Sequence, residues 1–465
     1  MRKIIAMLAV VILLVSCSVQ DKISSDYDTP ETWAELFEIF WSKMSGNYVF
    51  WSLDYDKGRG WDDVYDDYLP LFEELGGIEA SGDETKTAFQ YFYEITSPLS
   101  DGHYYLDITD GEDLFTSYPS MRRKMLERGY TDEEIFELFD SWDGNYFSLF
   151  YTTDDDGGLT ADEDSVYFDY FKLYYENIYN ILMLDFDWDL GGSQESSQSS
   201  NPGDFPPSPF SASMFINDSS SSSSDVAALV QTDDGIAYFG LGSFFFTKEG
   251  DNAESFLTTY RQAMLDATGI IIDLRGNSGG YIDDLQILWS VFTGGNDVTF
   301  AESRRKDGDN RTDYGVWMDM TIEDEGYDFD SSVPIAVLMN GNSASAAEGS
   351  MLFFKALRDY YGYNVRFFGE TTAGAFGAIL QSDTDDNTSS GSSASENYYN
   401  SGLTWIAPYI TTIYTPFTQV RYRSGKNYEG KGLEPDETYD FSYEDFLEGT
   451  DAKLDAAYSW LYGGA

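Results

Sequence analysis

A serine at position 345 lies where a protein chain can display a nucleophile. The apolar run 333–339 predicts a buried strand, residues 349–357 predict a helix, and residues 342–348 between them are mostly Ser and Ala. A short turn of this kind lifts a hydroxyl out of the sheet, and the free N–H groups at a helix start can stabilise an oxyanion. A serine there can also be an ordinary N-cap. This segment alone leaves both interpretations open.

A second apolar run begins at residue 269 and leads into a turn that contains Gly279 and Gly280. Glycine allows backbone conformations, and a close approach of substrate, that other residues do not allow. Asp273 and Arg275 carry opposite charges at the strand end, where they can pair and brace the loops. The glycine spacing does not fit the pattern of dinucleotide sites, so this turn does not predict a nucleotide site.

Four motifs follow one another in the order found in one peptidase family. Over residues 236–440 the chain resembles the tail-specific or C-terminal processing serine peptidases, a family that includes the tricorn core protease and the repeats of interphotoreceptor retinoid-binding protein. The motifs are Asp-Leu-Arg-Gly-Asn-Ser-Gly-Gly at 273–280, Ser-Ala-Ser-Ala-Ala-Glu at 343–348, Gly-Glu-Thr-Thr-Ala-Gly at 369–374 and Gly-Leu-Glu-Pro-Asp at 432–436.

The resemblance implies a fold and a nucleophile. The expected fold class is α/β, with a crotonase-like peptidase core preceded by a helical N-terminal domain. Ser345 takes the position of the nucleophile. The resemblance places the oxyanion hole at the amide of Ala346 and at Gly279 or Gly280.

The family activates its serine in two ways, and this chain matches one of them. In the tail-specific branch a lysine follows the Gly-Glu-Pro-Thr-x-Gly motif, but this chain has Ala375 there. We expect Lys355 to be a solvated helix charge. The tricorn-like branch uses a histidine, and His103, the only histidine, lies in a segment that resembles the family's histidine turn. A histidine can accept a proton near neutral pH, although a lone histidine is often structural.

The resemblance also implies a third member that orients the histidine. Glu429 lies at the position where the tricorn-like branch carries this glutamate, which can hold the imidazole tautomer. Asp101 is a nearby alternative. The tricorn-like site has a serine immediately before the histidine, whereas this chain has Gly102. Ser100 could replace that serine only if the conformation of the turn places Ser100 beside His103.

The N-terminus has the pattern of a bacterial lipoprotein signal. Two of residues 1–3 are basic, and residues 4–15 are almost wholly apolar. A lipobox-like sequence follows and ends at Cys17. The apolar run is too short to span a bilayer as a mature helix. Cys17 is the only cysteine, so no internal disulfide is possible. We therefore expect lipidation of Cys17 and a location in the cell envelope, at the outer membrane or cell surface.

The charge balance excludes one class of partner. The chain has 27 basic and 82 acidic residues, a formal net charge of −55. Such a chain is repelled by nucleic acid and by anionic lipid surfaces. We expect no nucleic-acid partner and no metal or cofactor, and we expect contact with a membrane only through the lipid anchor.

Composition and pattern divide the chain into segments. The prediction is a signal peptide at 1–17, a tether at 18–29, a helical N-terminal domain with the histidine turn at 30–106, a mostly helical middle region at 107–190, a Ser/Pro/Gly-rich linker or loop at 191–232, and the peptidase core at 233–462 with a polar insert at 383–401.

Together these features predict a membrane-anchored serine endopeptidase acting on peptides or proteins. A catalytically inactive lipoprotein that binds a peptide, glycan or hydrophobic ligand on the same fold is the alternative. Acyl transfer to or from another substrate, such as an ester, would use the same site.

Overall fold

The computed structural model describes these parts of the chain: residues 29–55, 60–78, 83–110, 114–127, 129–140, 152–153, 159–160, 213–217, 225–232, 235–244, 246, 251–308, 310–377, 403–407, 409–439 and 451–463. The predicted signal peptide with Cys17, almost all of the tether and the polar insert 383–401 lie outside them. Within the described residues, no helix is long and apolar enough to cross a bilayer.

Helices form the N-terminal region, as the sequence predicts. They are α1 (Trp33–Asn47), α2 (Trp51–Asp54), α3 (Trp61–Leu75) and α4 (Asp83–Thr96). Helix α1 begins with a capping box, in which the Thr32 hydroxyl accepts the N–H of Glu35 and the Glu35 carboxylate accepts the N–H of Thr32. The apolar faces of the helices meet in a core rich in aromatic side chains, in which Trp33 and Trp61 are buried. Much of the aromatic content therefore serves packing.

A four-stranded antiparallel sheet joins this region to the C-terminal part of the chain. Its strands are β1 (Tyr105–Thr109), β2 (Leu114–Ser117), β13 (Leu403–Ala407) and β14 (Ile410–Thr415), in the order β13-β14-β1-β2. Because β1 follows the turn that carries His103, its pairing with β14 holds that turn against the C-terminal half.

The middle region combines helices and strands. It contains α5 (Pro119–Glu127), α6 (Asp132–Asp140) and a small hairpin of β3 (Thr152–Thr153) and β4 (Leu159–Thr160). The expected boundary at 106 falls inside β1, and β2 lies in the segment that was predicted to be mostly helical. These strands form through pairing with distant residues, which a local helical pattern does not reveal.

The largest sheet has seven strands. They are β5 (Ser213–Asn217), β6 (Asp225–Gln231), β7 (Ile236–Leu241), β8 (Gly269–Asp273), β11 (Ile335–Met339), β12 (Val365–Gly369) and β16 (Glu437–Thr438), in the order β16-β12-β11-β8-β7-β6-β5. The strands from β16 to β7 run parallel, and β6 and β5 are antiparallel. β5 and β6 lie within the predicted linker 191–232, so the sheet of the core extends N-terminal to residue 233.

Both faces of this sheet are covered. The covering helices include α7 (Asp251–Asp266), α8 (Asp284–Trp289), which continues as the 3₁₀ turn Ser290–Phe292, α9 (Ala346–Tyr361) and α10 (Ala452–Gly463). Along β8, Ile270 and Ile272 belong to the larger core, and Ile271 belongs to the core under α10. Parallel strands covered on both faces read as continuous apolar runs, which is why the sequence revealed β8 and β11.

A three-stranded antiparallel sheet completes the larger part of the core. It consists of β9 (Val298–Arg305), β10 (Met318–Ile322) and β15 (Thr418–Tyr422), in the order β10-β9-β15.

A buried charge network attaches α10 to the end of β8. The Arg275 guanidinium donates to Asp273 Oδ2 at 2.6 Å and to Asp451 Oδ1 at 2.9 Å, just before α10. All three side chains are at least nine-tenths buried. The predicted pairing of Asp273 with Arg275 is confirmed, and Asp451 is a partner that the sequence did not indicate.

Candidate active site

The candidate site lies at one edge of the large sheet. In a parallel sheet, the carboxyl ends of neighbouring strands meet at the same edge, where ligands bind in open α/β sheets. β8, β11 and β12 are parallel neighbours. They lead into the turns 274–280, 340–345 and 370–377, which contain three of the four motifs. The fold therefore brings together segments that lie far apart in the sequence.

Ser345 has a backbone conformation that is rare for a side-chain-bearing residue. Its φ is 56° and its ψ is −118°, immediately before α9. An ordinary N-cap residue has an extended backbone, so Ser345 is not a standard helix cap. Holding a non-glycine residue in such a conformation costs about 1–3 kcal/mol, and the surrounding contacts must supply this.

The turn before Ser345 is attached to the turn after β8. The Ser343 hydroxyl donates to the carbonyl of Leu274 at 2.8 Å, and the N–H of Ala344 donates to the carbonyl of Asn277 at 2.9 Å. The Asn340 side chain accepts the N–H of Gly276 at 2.9 Å. Three hydrogen bonds therefore fix the turn before Ser345 against the glycine-rich turn after β8.

Two backbone amides beside Ser345 are available to an oxyanion. Within the described residues, neither the N–H of Ala346 nor that of Gly280 forms a hydrogen bond. The N–H of Gly279 donates to Asn277 Oδ1 at 2.8 Å and is already engaged. Gly279 has a φ of 110°, and a Cβ on it would lie 2.6 Å from Ser345 Cβ. Gly279 therefore provides space, while Gly280 and Ala346 retain free donors.

A buried carboxylate connects Ser345 to the turn 370–377. Glu348, in the first turn of α9, accepts the N–H groups of Gly374 and Ala375 at 2.8 Å each and the Thr372 hydroxyl. It also accepts the N–H of Ser345 at 3.3 Å. Burial raises the pKa of Glu348 to about 7. Glu348 thus holds the turn 370–377 against the start of α9.

The carbonyl of Ala375 closes this arrangement from the other side, because it accepts the N–H of Ser345 at 3.1 Å. Ala375 is buried and occupies the position of the lysine of the tail-specific branch. The Lys355 ammonium pairs with Asp359 at 2.8 Å and lies over the Tyr422 ring. It is only partly exposed, so its charge is paired rather than simply solvated.

His103 reaches the same region from the N-terminal half. Its turn packs on the turn 370–377, since a Cβ on Gly102 would lie 2.5 Å from Ala375 Cβ. The backbones of Ser345 and of the residue before His103 therefore both contact Ala375. This close approach also explains why Gly102 stands where the tricorn-like branch has a serine, because a side chain does not fit there.

Two carboxylates accompany His103. One oxygen each of Asp101 and Glu429 and a ring nitrogen of His103 lie within 4.8 Å of one another. Glu429 accepts the N–H groups of Gly102, Phe376 and Gly377 at 2.8 to 2.9 Å. It thereby binds both the histidine turn and the turn 370–377.

Asp101 binds both the backbone of the histidine turn and the end of β14. Its Oδ1 accepts the backbone N–H of His103 at 2.8 Å, and its Oδ2 accepts the hydroxyl of Thr415, at the end of β14, at 2.7 Å. The structure thus brings both predicted carboxylates close to the imidazole. Among the described residues, neither forms a hydrogen bond with its ring.

Burial changes the proton affinities of all three groups. It lowers the pKa of His103 to about 4, because the imidazolium loses hydration. It raises the pKa of Asp101 to about 7. Burial, and then repulsion from Asp101, raises the pKa of Glu429 well above its ordinary value. The neutral form of the imidazole, which can accept a proton, is therefore favoured at neutral pH.

The structure thus gathers all the predicted core site residues at one edge of the sheet. Ser345, Ala346, Gly279 and Gly280 surround the start of α9, and His103, Glu429 and Asp101 lie across Ala375 from them. The Ser100 hydroxyl forms no hydrogen bond with the His103 ring in the part of the chain that the structure describes. The roles of Glu348 and Thr415 were missed, although Glu348 stands inside the quoted 343–348 motif.

Known proteins share this core. Residues 235–439, less than half of the chain, match the family model described as Peptidase family S41. The family resemblance seen in the four motifs is confirmed. No curated protein matches the chain.

Solved structures resemble a larger part of the chain. A putative peptidase from Parabacteroides merdae is 17% identical, with a TM-score of 0.54, over 93% of this chain and 97% of that chain. Mature CPAF complexed with lactacystin is 12% identical, with a TM-score of 0.51, over 93% of this chain and 99% of that chain. At these identities the likeness shows the fold. The predicted α/β class, with its helical N-terminal region, is confirmed.

Proposed function

We propose that this chain, whose residues 235–439 belong to peptidase family S41, is a serine peptidase with Ser345 as nucleophile and His103 as general base. The observation that carries the proposal is the setting of Ser345. It has a rare positive φ at a helix start, it lies against Gly279, and it is flanked by the free amides of Gly280 and Ala346. A tetrahedral intermediate needs a nucleophilic hydroxyl and hydrogen-bond donors for its oxyanion, and Ser345 and these two amides can supply them.

The proposed reaction follows from these positions. The Ser345 hydroxyl attacks the peptide carbonyl and gives its proton to His103, while the amides of Ala346 and Gly280 stabilise the oxyanion. His103 then gives the proton to the leaving amine. A water molecule hydrolyses the acyl-enzyme with His103 again as base.

Glu429 is proposed to orient and stabilise His103 during the transfer. It is bonded to the backbone of both neighbouring turns, so it keeps a fixed position relative to the imidazole. In its ionised form, whose proton affinity burial has raised, Glu429 favours the imidazolium that forms during attack. Asp101 holds the backbone of the same turn.

Hydrolysis of a broad peptide and ester panel by purified variants tests the proposal. Replacing Ser345 or His103 by Ala should each lower kcat by at least about a thousandfold, because members of such a unit act together. Lys355→Ala is the matched control and should retain nearly full activity. Loss of activity in the lysine variant with retention in the histidine variant would exclude His103 as base. If the unaltered chain hydrolyses nothing in the panel, a binding protein on this fold becomes the better account.

We also propose that the peptidase is anchored to the bacterial envelope through a lipid on Cys17, at the outer membrane or cell surface. The support is the basic, then apolar, then lipobox-like order of residues 1–17. Cys17→Ser should abolish labelling by a fatty-acid analogue and release the protein from membranes or block its processing. Unchanged fractionation of the variant, with no lipid labelling of the parent, would contradict the anchor.

A further inference from the structure

The cluster of Asp101, His103 and Glu429 contains two buried carboxyl groups without a cationic partner among the described residues. Both carboxylates are almost completely buried, at 0% and 2% exposure, and lie within 4.8 Å of each other and of the imidazole. Among the described residues, no Lys or Arg forms an ion pair with either one. The guanidinium of Arg123 is nearby, but it donates to the carbonyls of Leu99 and Ser100. Two buried like charges at this distance require a proton or a cation between them.

His103 adds an independent observation. Its Nδ1 atom is shielded from solvent and has no hydrogen-bond partner among the described residues. Buried polar atoms in folded proteins nearly always have a partner, and an exception requires an explanation such as an absent ion. A ring nitrogen of His103 lies within 4.8 Å of one oxygen of each carboxylate.

The carboxylates retain unused acceptor positions. An ionised carboxylate offers about four lone-pair directions. Glu429 uses three of them for the N–H groups of Gly102, Phe376 and Gly377. Asp101 uses two, for His103 N–H and the Thr415 hydroxyl. Each carboxylate can therefore bind a further positive group while its present hydrogen bonds remain.

We infer that Asp101, His103 and Glu429 form a binding site for a divalent transition-metal ion of the zinc type. One imidazole nitrogen and two carboxylate oxygens are ligands that Zn²⁺ accepts, and they leave one tetrahedral position open. Ca²⁺ and Mg²⁺ take oxygen ligands almost exclusively, so the imidazole disfavours them. A dication would neutralise the two buried carboxylates.

The site requires a small contraction. Ligands about 2.1 Å from Zn²⁺ lie about 3.4 Å apart in tetrahedral geometry, and the three atoms now lie within 4.8 Å. Rotation of the His103 ring, which forms no hydrogen bond among the described residues, can provide most of this change, while hydrogen bonds to the backbone hold the two carboxylates in place.

Metal binding would switch the proposed peptidase off, and this consequence rests on the proposed function. A metal on Nδ1 leaves the single proton of the neutral ring on Nε2. That nitrogen then cannot accept the proton of Ser345. The ion is thus a reversible inhibitor rather than a catalytic cofactor.

The single histidine makes the site directly measurable. When the protein is isotope-labelled at histidine, all imidazole signals in the NMR spectrum come from the single histidine, His103. ZnCl₂ is then titrated into the metal-free protein, with excess Mg²⁺ present to occupy surface carboxylates. We expect the Nδ1 signal to shift and saturate at one equivalent. Calorimetric Kd values should rise at least about tenfold in Asp101→Asn, Glu429→Gln and His103→Ala, since even second-shell changes cost that much.

The matched control is Glu302→Gln, which removes a carboxylate that pairs with Arg421 outside the cluster. It should bind zinc with unchanged affinity. An imidazole signal that zinc does not move, or equal affinity in His103→Ala, would overturn the site. Circular dichroism of each variant verifies folding. This result is independent of turnover, so it stands even if the peptidase proposal fails. Inhibition itself is tested by active-serine labelling with and without zinc, and an unchanged labelling rate at saturating zinc would overturn the inhibitory role.

Discussion

The Nδ1 atom of His103 is shielded from water, and the partial burial of the ring sets the pH range in which it can act as a base. Its pKa is lowered to about 4 by burial, from an ordinary value near 6.5. From the sequence alone we expect activity to fall between pH 6 and 7, because histidine ordinarily titrates in that range. The sequence does not reveal that the ring is partly buried. The structure moves this expectation to lower pH.

We therefore predict that kcat/KM of the metal-free enzyme stays nearly constant from pH 7 to about 5 and falls as the pH approaches about 4. A base works only in its neutral form, and here that form persists below the ordinary pKa. The measurement is kcat/KM against pH with a chelator present, with folding monitored at every pH. A midpoint near 6.5 would contradict the buried imidazole.

The same burial affects stability with a definite sign. Between pH 6.5 and about 4 the unfolded chain binds a proton at His103 that the folded chain does not, so this group makes stability fall as the pH falls. Asp101 acts in the opposite direction. The pKa of Asp101 in the folded chain, about 7, lies above its ordinary value. The stability that the protonated carboxyl group contributes is therefore lost as the pH rises toward 7.

Gly102 is required by the packing of two turns. A Cβ there would lie 2.5 Å from Ala375 Cβ and 2.6 Å from the carbonyl oxygen of Gly374. We predict that Gly102→Ser, which restores the serine of the tricorn-like branch, lowers kcat at least about tenfold, because small displacements of catalytic groups are costly.

The matched control for this prediction is Gly60→Ser. A Cβ on Gly60 meets no atom nearer than 3.5 Å, and the φ of Gly60 is not positive. The Gly60→Ser variant should therefore have unchanged activity. Both variants are compared by kcat and by thermal unfolding. Full activity of Gly102→Ser would show that the turns can separate without loss of function.

Among the structural elements, the turn 370–377 connects the two halves of the site. It is held to α9 by Glu348 and to the histidine turn by Glu429. In Glu348→Gln, one carboxylate oxygen becomes an NH₂ group that faces N–H donors. We predict a fall in kcat of about ten- to a hundredfold, because disrupting a buried acceptor costs about 1–3 kcal/mol, while the secondary structure is retained.

Glu134→Gln provides the comparison for Glu348. Glu134 belongs to the exposed capping box of α6, outside the turns that form the site, and the amide of Glu134→Gln can still accept the N–H of Thr131. The kcat of Glu134→Gln should equal that of the parent. Equal activity of Glu348→Gln and the parent would mean that the turn keeps its position without this carboxylate.

The sequence predicted some elements well and others poorly, for a physical reason. β8 and β11 are buried on both faces, so their apolar runs are continuous, and the turns that follow them carry the motifs. β1 and β2 are short, and β5 and β6 flank a Ser-rich stretch. Their stability comes from partners distant in sequence, such as β14 for β1. Local pattern cannot report such pairing.

The same limit applies to the site. Ser345 and the glycines follow from motif and turn chemistry. The packing of Gly102 on Ala375, the clamp by Glu348 and the bond from Thr415 to Asp101 depend on turns that meet only in the folded chain. The sequence named both carboxylates beside His103, but not that they would lie so close together.

At the scale of the whole molecule, the dominant physical feature is a net charge of −55. Repulsion among carboxylates destabilises the compact state and is screened within about 10 Å at 0.1 M salt. We predict that the melting temperature rises by several degrees between 10 mM and 500 mM NaCl, measured by circular dichroism. An unchanged or falling melting temperature would mean that acidic side chains are spaced or paired well enough to avoid repulsion.

The central claim is that Ser345 is a nucleophile activated by His103, and the direct measurement is covalent labelling with a fluorophosphonate. The account predicts one adduct per chain, mapped by peptide mass spectrometry to Ser345, absent in Ser345→Ala and at least about a hundredfold slower in His103→Ala. Lys355→Ala should label at the parental rate. No adduct on the folded parent, or an adduct on another serine, would contradict the account.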